Sequence, residues 1–244
     1  MKRRRLDEIL LERGMAQDKK DAFVIVTEGR VFIGGQKAIS PAQMIGDGVE
    51  VRVANADGYV GRGAYKLDAA LAAFAIDATG KICVDIGAAT GGFTEVLLRR
   101  GAKKVYAIDT ARGKLDLKIR QDPRVVVMEQ TDVRDVRDVR ELPESVDLAV
   151  IDISLISLRD ILPHAGRMLS SGGRVIALFK PQYETRDPRM LRHGIVKDPE
   201  SREKLLADFR TWLDSHCWET HDWMESPITG SKGNAEYLFY IAPK

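Results

Sequence analysis

Along the first sixty positions, apolar residues come in short runs whose spacing changes part-way. Leu6, Ile9 and Leu10 recur at helical spacing and Gly14 follows as a stop, which predicts a first helix. Asp18 offers a cap, with Asp21 three residues on, and Ala22, Phe23, Ile25 and Val26 define the apolar face of a second helix ending at Gly29. The spacing then shifts to period two. VFIGGQ, and the alternation of Val49, Val51 and Val53 with Glu50 and Arg52, predict short strands separated by Gly-Gly and Gly-Asp-Gly turns. A small α+β module results. The glycines of NADGYVGRGAYKL, Asn55 to Leu67, place a linker near Gly58 to Gly63, so the chain is expected to form two domains, residues 1–59 and 60–244.

Beyond the linker the pattern is different. ICVDI, KVYAID, RVVVME, VDLAVID and GRVIALF are apolar runs separated by segments of helical periodicity. Strands buried on both faces read as continuous apolar runs, and their alternation with helices predicts an α/β domain with a parallel sheet covered on both sides. AEYLFYIAP, after the Gly-rich SPITGSKGN, is expected to end that sheet beside another late strand at Trp218 to Met224.

Composition narrows the picture. A chain of 244 residues, 44% hydrophobic, can bury roughly 70 to 75% of its unfolded surface without help from disulfides. Cys83 and Cys217 lie far apart in no zinc-binding spacing; they suit a reducing compartment and are expected to be core thiols. Trp212, Trp218 and Trp223 take the core as their default as well. After MKRRR come the acids of LDEILLERG, where a signal peptide requires an apolar run, and no window approaches the ~18 apolar residues of a membrane helix. A cytoplasmic protein without a membrane partner is the expectation. The formal charge of +2 is uninformative about nucleic acid, because clustering matters as much as the sum. Residues 1–60 carry ten basic and nine acidic side chains, yet Arg3, Arg4, Arg5, Lys19, Lys20, Arg30 and Lys37 fall at predicted helix starts and turns, where phosphates can be held. A solvated basic surface accounts for the same residues equally well.

A resemblance separates these two readings. RRRLDEILLERG, then DAFVIVTEGRVFIGGQKAIS, then GDGVEVRV is similar in order to the small RNA-binding module named after ribosomal small-subunit protein S-four. That resemblance implies an RNA partner for residues 1–59, bound through shape and phosphates.

The stretch VDIGAATGGFTE, Val84 to Glu95, has the form of a nucleotide-binding turn between a strand and a helix. A dinucleotide fingerprint needs glycine at its first, third and sixth positions, and here these are Gly87, Ala89 and Gly92; the central glycine that admits a pyrophosphate is missing. A GxxxxGK[ST] phosphate loop is missing too, since Phe93 and Thr94 follow Gly92. The pattern DxGxxxGG, with Asp85, Gly87, Gly91, Gly92 and Phe93, instead resembles the first motif of S-adenosylmethionine-dependent methyltransferases. The resemblance implies S-adenosyl-L-methionine as cofactor, a Rossmann-like class I sheet, Asp109 in YAIDT on the ribose hydroxyls and Asp132 in QTDVRD facing the adenine amino group. A carboxylate at a strand end also caps helices and turns, which is the alternative for both acids.

Four further residues are expected to converge beside that turn: Lys66 in GAYKL, Asp152 in AVIDISL, Lys180 in ALFKPQYE and Glu236 in GNAEYLF. Asp152 and Lys180 end consecutive strands and Glu236 begins the last one. Desolvation after VIALF, and Lys66 nearby, are expected to favour a neutral Lys180 able to act as a base. In order and context the four match the Lys-Asp-Lys-Glu tetrad of FtsJ-like RNA ribose 2′-O-methyltransferases, and the whole chain, including HGIVKDP at His193 to Pro199, resembles the TlyA group, whose members methylate ribosomal RNA cytidines and are sometimes labelled hemolysins. The resemblance implies that Lys180 takes the ribose 2′ proton, that Asp152 orients it, and that Lys66 and Glu236 position the hydroxyl. No metal is called for. Base amino methylation is disfavoured, because Asp152-Ile-Ser-Leu stands where an Asp-Pro-Pro-aromatic turn would be needed, and carbon methylation lacks its cysteine nucleophile. A non-catalytic ribosome-binding or assembly factor and a membrane-lytic protein are the rival classes; an intact tetrad opposes the first and the lack of a long apolar helix the second.

Overall fold

The computed structural model of the chain describes residues 3–27, 29–46, 48–53, 59–136 and 142–244. It divides into two compact units, Met1–Tyr59 and Val60–Lys244. Of the sequence features named above, Asn55 to Gly58 of the linker stretch and Asp47 of the Gly-Asp-Gly turn lie outside the described residues.

The first unit runs β1 (Arg3–Arg5), α1 (Leu6–Glu12), α2 (Lys19–Thr27), β2 (Val31–Ile33), β3 (Gln36–Lys37), β4 (Met44–Gly46) and β5 (Val51–Val53). The Asp18 cap forms as a reciprocal pair: the Asp21 N–H donates to Asp18 Oδ1 at 2.7 Å while Asp21 Oδ2 accepts from the Gln17 N–H at 2.9 Å. Ala22, Ile25 and Val26 of α2 face a core with Leu6, Ile9, Leu10, Val31, Ile45 and Val51. Phe23 departs from expectation. It is exposed, because the buried i, i+3, i+4 stripe set by Ala22 leaves position 23 outside it. Arg3–Arg5 also differ from the expected helix start: they form a strand paired antiparallel with β4, since Met44–Gly46 offers an edge that backbone groups can join whatever the side chains.

The second unit contains, among the described residues, α3 (Gly63–Ala73), β6 (Ile82–Ile86), α4 (Gly92–Arg99), β7 (Lys104–Asp109), α5 (Leu117–Arg120), β8 (Val125–Glu129), β9 (Val146–Ile151), α6 (Leu158–Met168), β10 (Leu169–Phe179), α7 (Pro181–Glu184), α8 (Pro199–Ser215), β11 (Trp218–Glu225) and β12 (Tyr237–Pro243). One sheet takes the order β11-β12-β10-β9-β6-β7-β8. The five strands β6 to β10 are parallel, and β12 runs antiparallel to β10 with Phe179 opposite Tyr237. β11 and β12 close that side as an antiparallel pair, as the late apolar run requires. Because β12 is reversed, its first residues lie at the edge where β6, β9 and β10 end.

Phe179, Phe209, Phe239 and Trp218 fill the core between this sheet, α6 and α8. Phe179 and Phe209 meet at 4.8 Å between centroids, and Phe209 and Phe239 cross edge to face. Trp218 is buried, Trp212 stacks on Phe209 at the margin, and Trp223 is partly exposed against Phe239. Cys83 is buried in β6, where loss of water pushes its thiol up to about 12. Cys217 is not a core thiol. It is exposed in the turn from α8 to β11 with φ +60°, a turn conformation that leaves no strand face to bury it.

Candidate functional site

Strand ends build the site. Gly87 follows β6, Asp152 follows β9, Lys180 follows β10, and Glu236 precedes β12; α3 supplies Lys66. All five line one cavity of about 460 Å³, together with Gly92 and Phe93 at the start of α4. Lys66 Nζ lies 2.5 Å from Glu236 Oε2, and Lys180 Nζ lies 2.6 Å from Asp152 Oδ1. Lys66, Lys180 and Glu236 are each less than a tenth exposed. Buried charges persist only when paired and hydrogen-bonded, so two lysines and two acids in one cavity are mutually dependent. Both lysines line the same cavity, and each has its own carboxylate there.

Gly87 is glycine for two reasons. Its φ is +89°, and a Cβ there would lie 2.9 Å from the carbonyl carbon of Asp152, so any side chain would push β9 and β6 apart at the cavity. Gly91 caps α4 and Gly92 is its first residue. Ala89, where the dinucleotide pattern would place glycine, holds φ +47°. The Asp109 carboxylate accepts the backbone N–H groups of Ala89 and Ala111, both at 2.7 Å, and so pins the turn from behind. Asp85 is fully buried; Oδ2 accepts the Thr94 hydroxyl at 2.6 Å, while Oδ1 has no donor. Burial, followed by the nearby Asp152 and Asp109 charges, pushes this carboxyl up to about 7.

Asp85, Gly91, Asp109 and Asp132 stand outside the cavity lining. Asp132 accepts the Arg134 N–H at 2.9 Å and pairs with its guanidinium at 2.6 Å, which holds its carboxyl below the usual range. It is capping its own turn. In the first unit, Arg4 pairs with Glu12 and Arg5 with Asp7, while Lys19, Lys20 and Lys37 are exposed and Arg30 is half-buried.

Several lining residues escaped sequence reasoning. Ser154 Oγ accepts a hydrogen bond from Lys180 Nζ at 3.1 Å. The Arg62 guanidinium donates to the Thr229 carbonyl at 3.0 Å. Asn234 is buried; its Oδ1 accepts the Val196 N–H and its Nδ2 donates to the Gly194 carbonyl, both at 3.0 Å, which ties HGIV to the loop before β12. Leu155 stands at the rim, exposed, with φ +71°. Ser154, Gln182 and Asn234 each lie two residues from a predicted site residue, and that proximity was the only signal available.

Residues 59–242 match the FtsJ-like methyltransferase family. The chain belongs to that family. It is 38% identical to the 16S/23S rRNA (cytidine-2′-O)-methyltransferase TlyA of Mycobacterium tuberculosis, over 98% of this chain and 90% of the relative. It is 37% identical to Hemolysin A of Brachyspira hyodysenteriae, over 97% and 99% of the two chains. A solved structure of a hemolysin-labelled protein from Streptococcus thermophilus superposes with a TM-score of 0.77 at 36% identity, covering all of this chain and 90% of the other.

An FtsJ-like methyltransferase uses a cofactor of the S-adenosylmethionine type, and the residues present suit one. The close backbone approach at Gly87 keeps the end of β6 free of a side chain, and Gly87, Gly92 and Phe93 line the cavity there beside the carboxylates of Asp152 and Glu236, which suits a ligand that carries a cationic group.

Proposed function

We propose that this FtsJ-like chain methylates a ribose 2′-hydroxyl of ribosomal RNA, on cytidine, with S-adenosyl-L-methionine as donor, and that the S-four-like unit, residues 1–59, helps hold the RNA in the cytoplasm. The observation that carries this reading is the convergence of Lys66–Glu236 and Lys180–Asp152 in one cavity with the glycine turn. The names of the relatives support the substrate. Among the described residues no helix is long and apolar enough to cross a membrane, which gives the hemolysin label no such element to rest on.

S-adenosylmethionine, when bound, would supply a methyl group on a sulfonium; Gly87, Gly92 and Phe93 would hold it from the cavity lining, with Asp85, Gly91 and Asp109 shaping the turn behind them, and Asp132 would have to leave Arg134 to meet the adenine. Lys180 Nζ accepts the 2′ proton as the ribose oxygen attacks. Asp152 at 2.6 Å and Ser154 at 3.1 Å fix two of the amine's directions, leaving its remaining valence for the substrate. Lys66, held by Glu236, orients the hydroxyl. Such positioning can contribute ~7 to 11 kcal/mol to a displacement. In the first unit, Arg3, Arg4, Arg5, Lys19, Lys20, Arg30 and Lys37 contact phosphates.

The test is methyl transfer to ribosomal subunits from cells lacking the gene, read by mass spectrometry of the digested RNA. Lys180→Ala is expected to lower the rate by roughly 10²- to 10⁴-fold with cofactor affinity retained. Unchanged transfer would remove Lys180 from the chemistry.

A further inference from the structure

Among the described residues of the second unit, two buried side-chain oxygens have no hydrogen-bond donor, Asp85 Oδ1 beneath the glycine turn and Gln182 Oε1, and of the two residues Gln182 lines the cavity. The first lies at the glycine-turn side. Gln182 lies in α7, two residues after Lys180, and lines the cavity. A buried amide oxygen left without a donor costs about 1 to 3 kcal/mol; this one has almost no accessible surface, so the Gln182 side chain must turn toward the cavity for a ligand to supply the donor, and the cost of staying unpaired favours that turn.

Position decides which ligand. In the sheet, β9 separates β6 from β10 and β12, so the glycine turn and α7 stand on opposite sides of Asp152. Tyr183, Leu191, Gly194 and Asn234 of the lining likewise follow β10 or precede β12 in the chain. This is the acceptor's half of the cavity. Within the acceptor nucleotide, the phosphates carry no donor and the ribose 2′-hydroxyl gives its proton to Lys180. The remaining N–H groups are on the base. Cytosine and adenine each carry an exocyclic amine beside a ring-nitrogen acceptor, and a carboxamide matches such a donor–acceptor pair edge to edge; the cytidine of the proposed reaction makes cytosine the case here. Uracil presents the reverse order and would need the amide turned over.

Resting on the ribose methyltransferase reading above, we infer that Gln182 reads the base of the acceptor nucleotide, its Oε1 taking the exocyclic amine of cytosine and its Nε2 donating to the neighbouring ring nitrogen. Gln182 therefore favours a base that carries an amine beside a ring acceptor over uracil and guanine, while Lys180 and Asp152 set whether methylation occurs.

The experiment incubates wild type, Gln182→Met and Gln182→Glu with S-adenosylmethionine and ribosomal subunits from cells lacking the gene, and quantifies all four 2′-O-methylnucleosides. Gln182→Met keeps side-chain length and removes both polar ends; its kcat/KM for methylcytidine formation should fall roughly 10- to 100-fold. Gln182→Glu keeps an acceptor for the amine and should lose less. Cofactor Kd by calorimetry should be unchanged in both, and the Tm of Gln182→Met should equal or exceed that of wild type, since an unsatisfied polar group is gone. A full rate in Gln182→Met would overturn the inference, as would a parallel loss of cofactor affinity or methyluridine as the wild-type product. If wild type forms no 2′-O-methylnucleoside, the parent reading fails and takes this one with it; an active wild type with an unaffected Gln182→Met sinks this one alone.

Discussion

Asp85 shows how far the fold bends the chemistry of single side chains. Its carboxyl titrates near 7 in the folded chain, against an ordinary 3.8, chiefly because burial disfavours the charge. Between those two values the folded state holds more protons than the unfolded state, so stability falls as pH rises; the cost is absent below about pH 4 and complete above about pH 7. Asp85→Asn keeps an oxygen for the Thr94 hydroxyl and removes the titration. Ligand-free Asp85→Asn should therefore match wild type in acid and exceed it at pH 8, by on the order of 4 kcal/mol at most, in denaturant titrations at several pH values. The sequence placed Asp85 and the tetrad at strand ends, because strand termini are set by where apolar runs stop. It could not show which carboxylate each lysine would take: Lys66 and Glu236 are separated by 170 positions, and only the reversed direction of β12 brings them together. The hydrogen bond that the Asp132 carboxylate accepts from the Arg134 N–H, by contrast, is a local bond of the kind its alternative reading anticipated.

At the scale of elements, the parallel strands were legible because burial on both faces leaves an unbroken apolar run, as in ICVDI and VDLAV. β1 was not, since RRR carries no strand signal and owes its form to an edge forty residues away. HGIV and the loop before β12 were equally opaque. Their join depends on Asn234, whose side chain satisfies one carbonyl in HGIV and one N–H at its end. Asn234→Ala would leave both groups without partners in a buried setting, at a cost of roughly 1 to 3 kcal/mol. Hydrogen exchange should then show the Val196 amide losing protection while the amides of β6 and β9 keep theirs. Uniform deprotection instead would mean that the join supports the whole sheet.

For the molecule as a whole, two units with separate cores would suit the proposed division of labour, phosphate contacts in one and the reaction cavity in the other. Both cores were foreseeable from periodicity. The difference between the two cysteines was not, because Cys217 sits beside Trp218 in a segment that reads as apolar, and only the turn at φ +60° turns it outward.

That difference gives the chain an internal clock. A thiol reagent should modify Cys217 within the dead time of mixing and reach Cys83 only when the central strand comes free of its neighbours, so under strongly native conditions mass spectrometry should count one adduct early and a second at the rate of global opening. If both appear together, β6 is opening locally. A saturating ligand at the strand's end should slow the second adduct and leave the first alone, which would let an unlabelled, unmutated protein report occupancy of its own cavity.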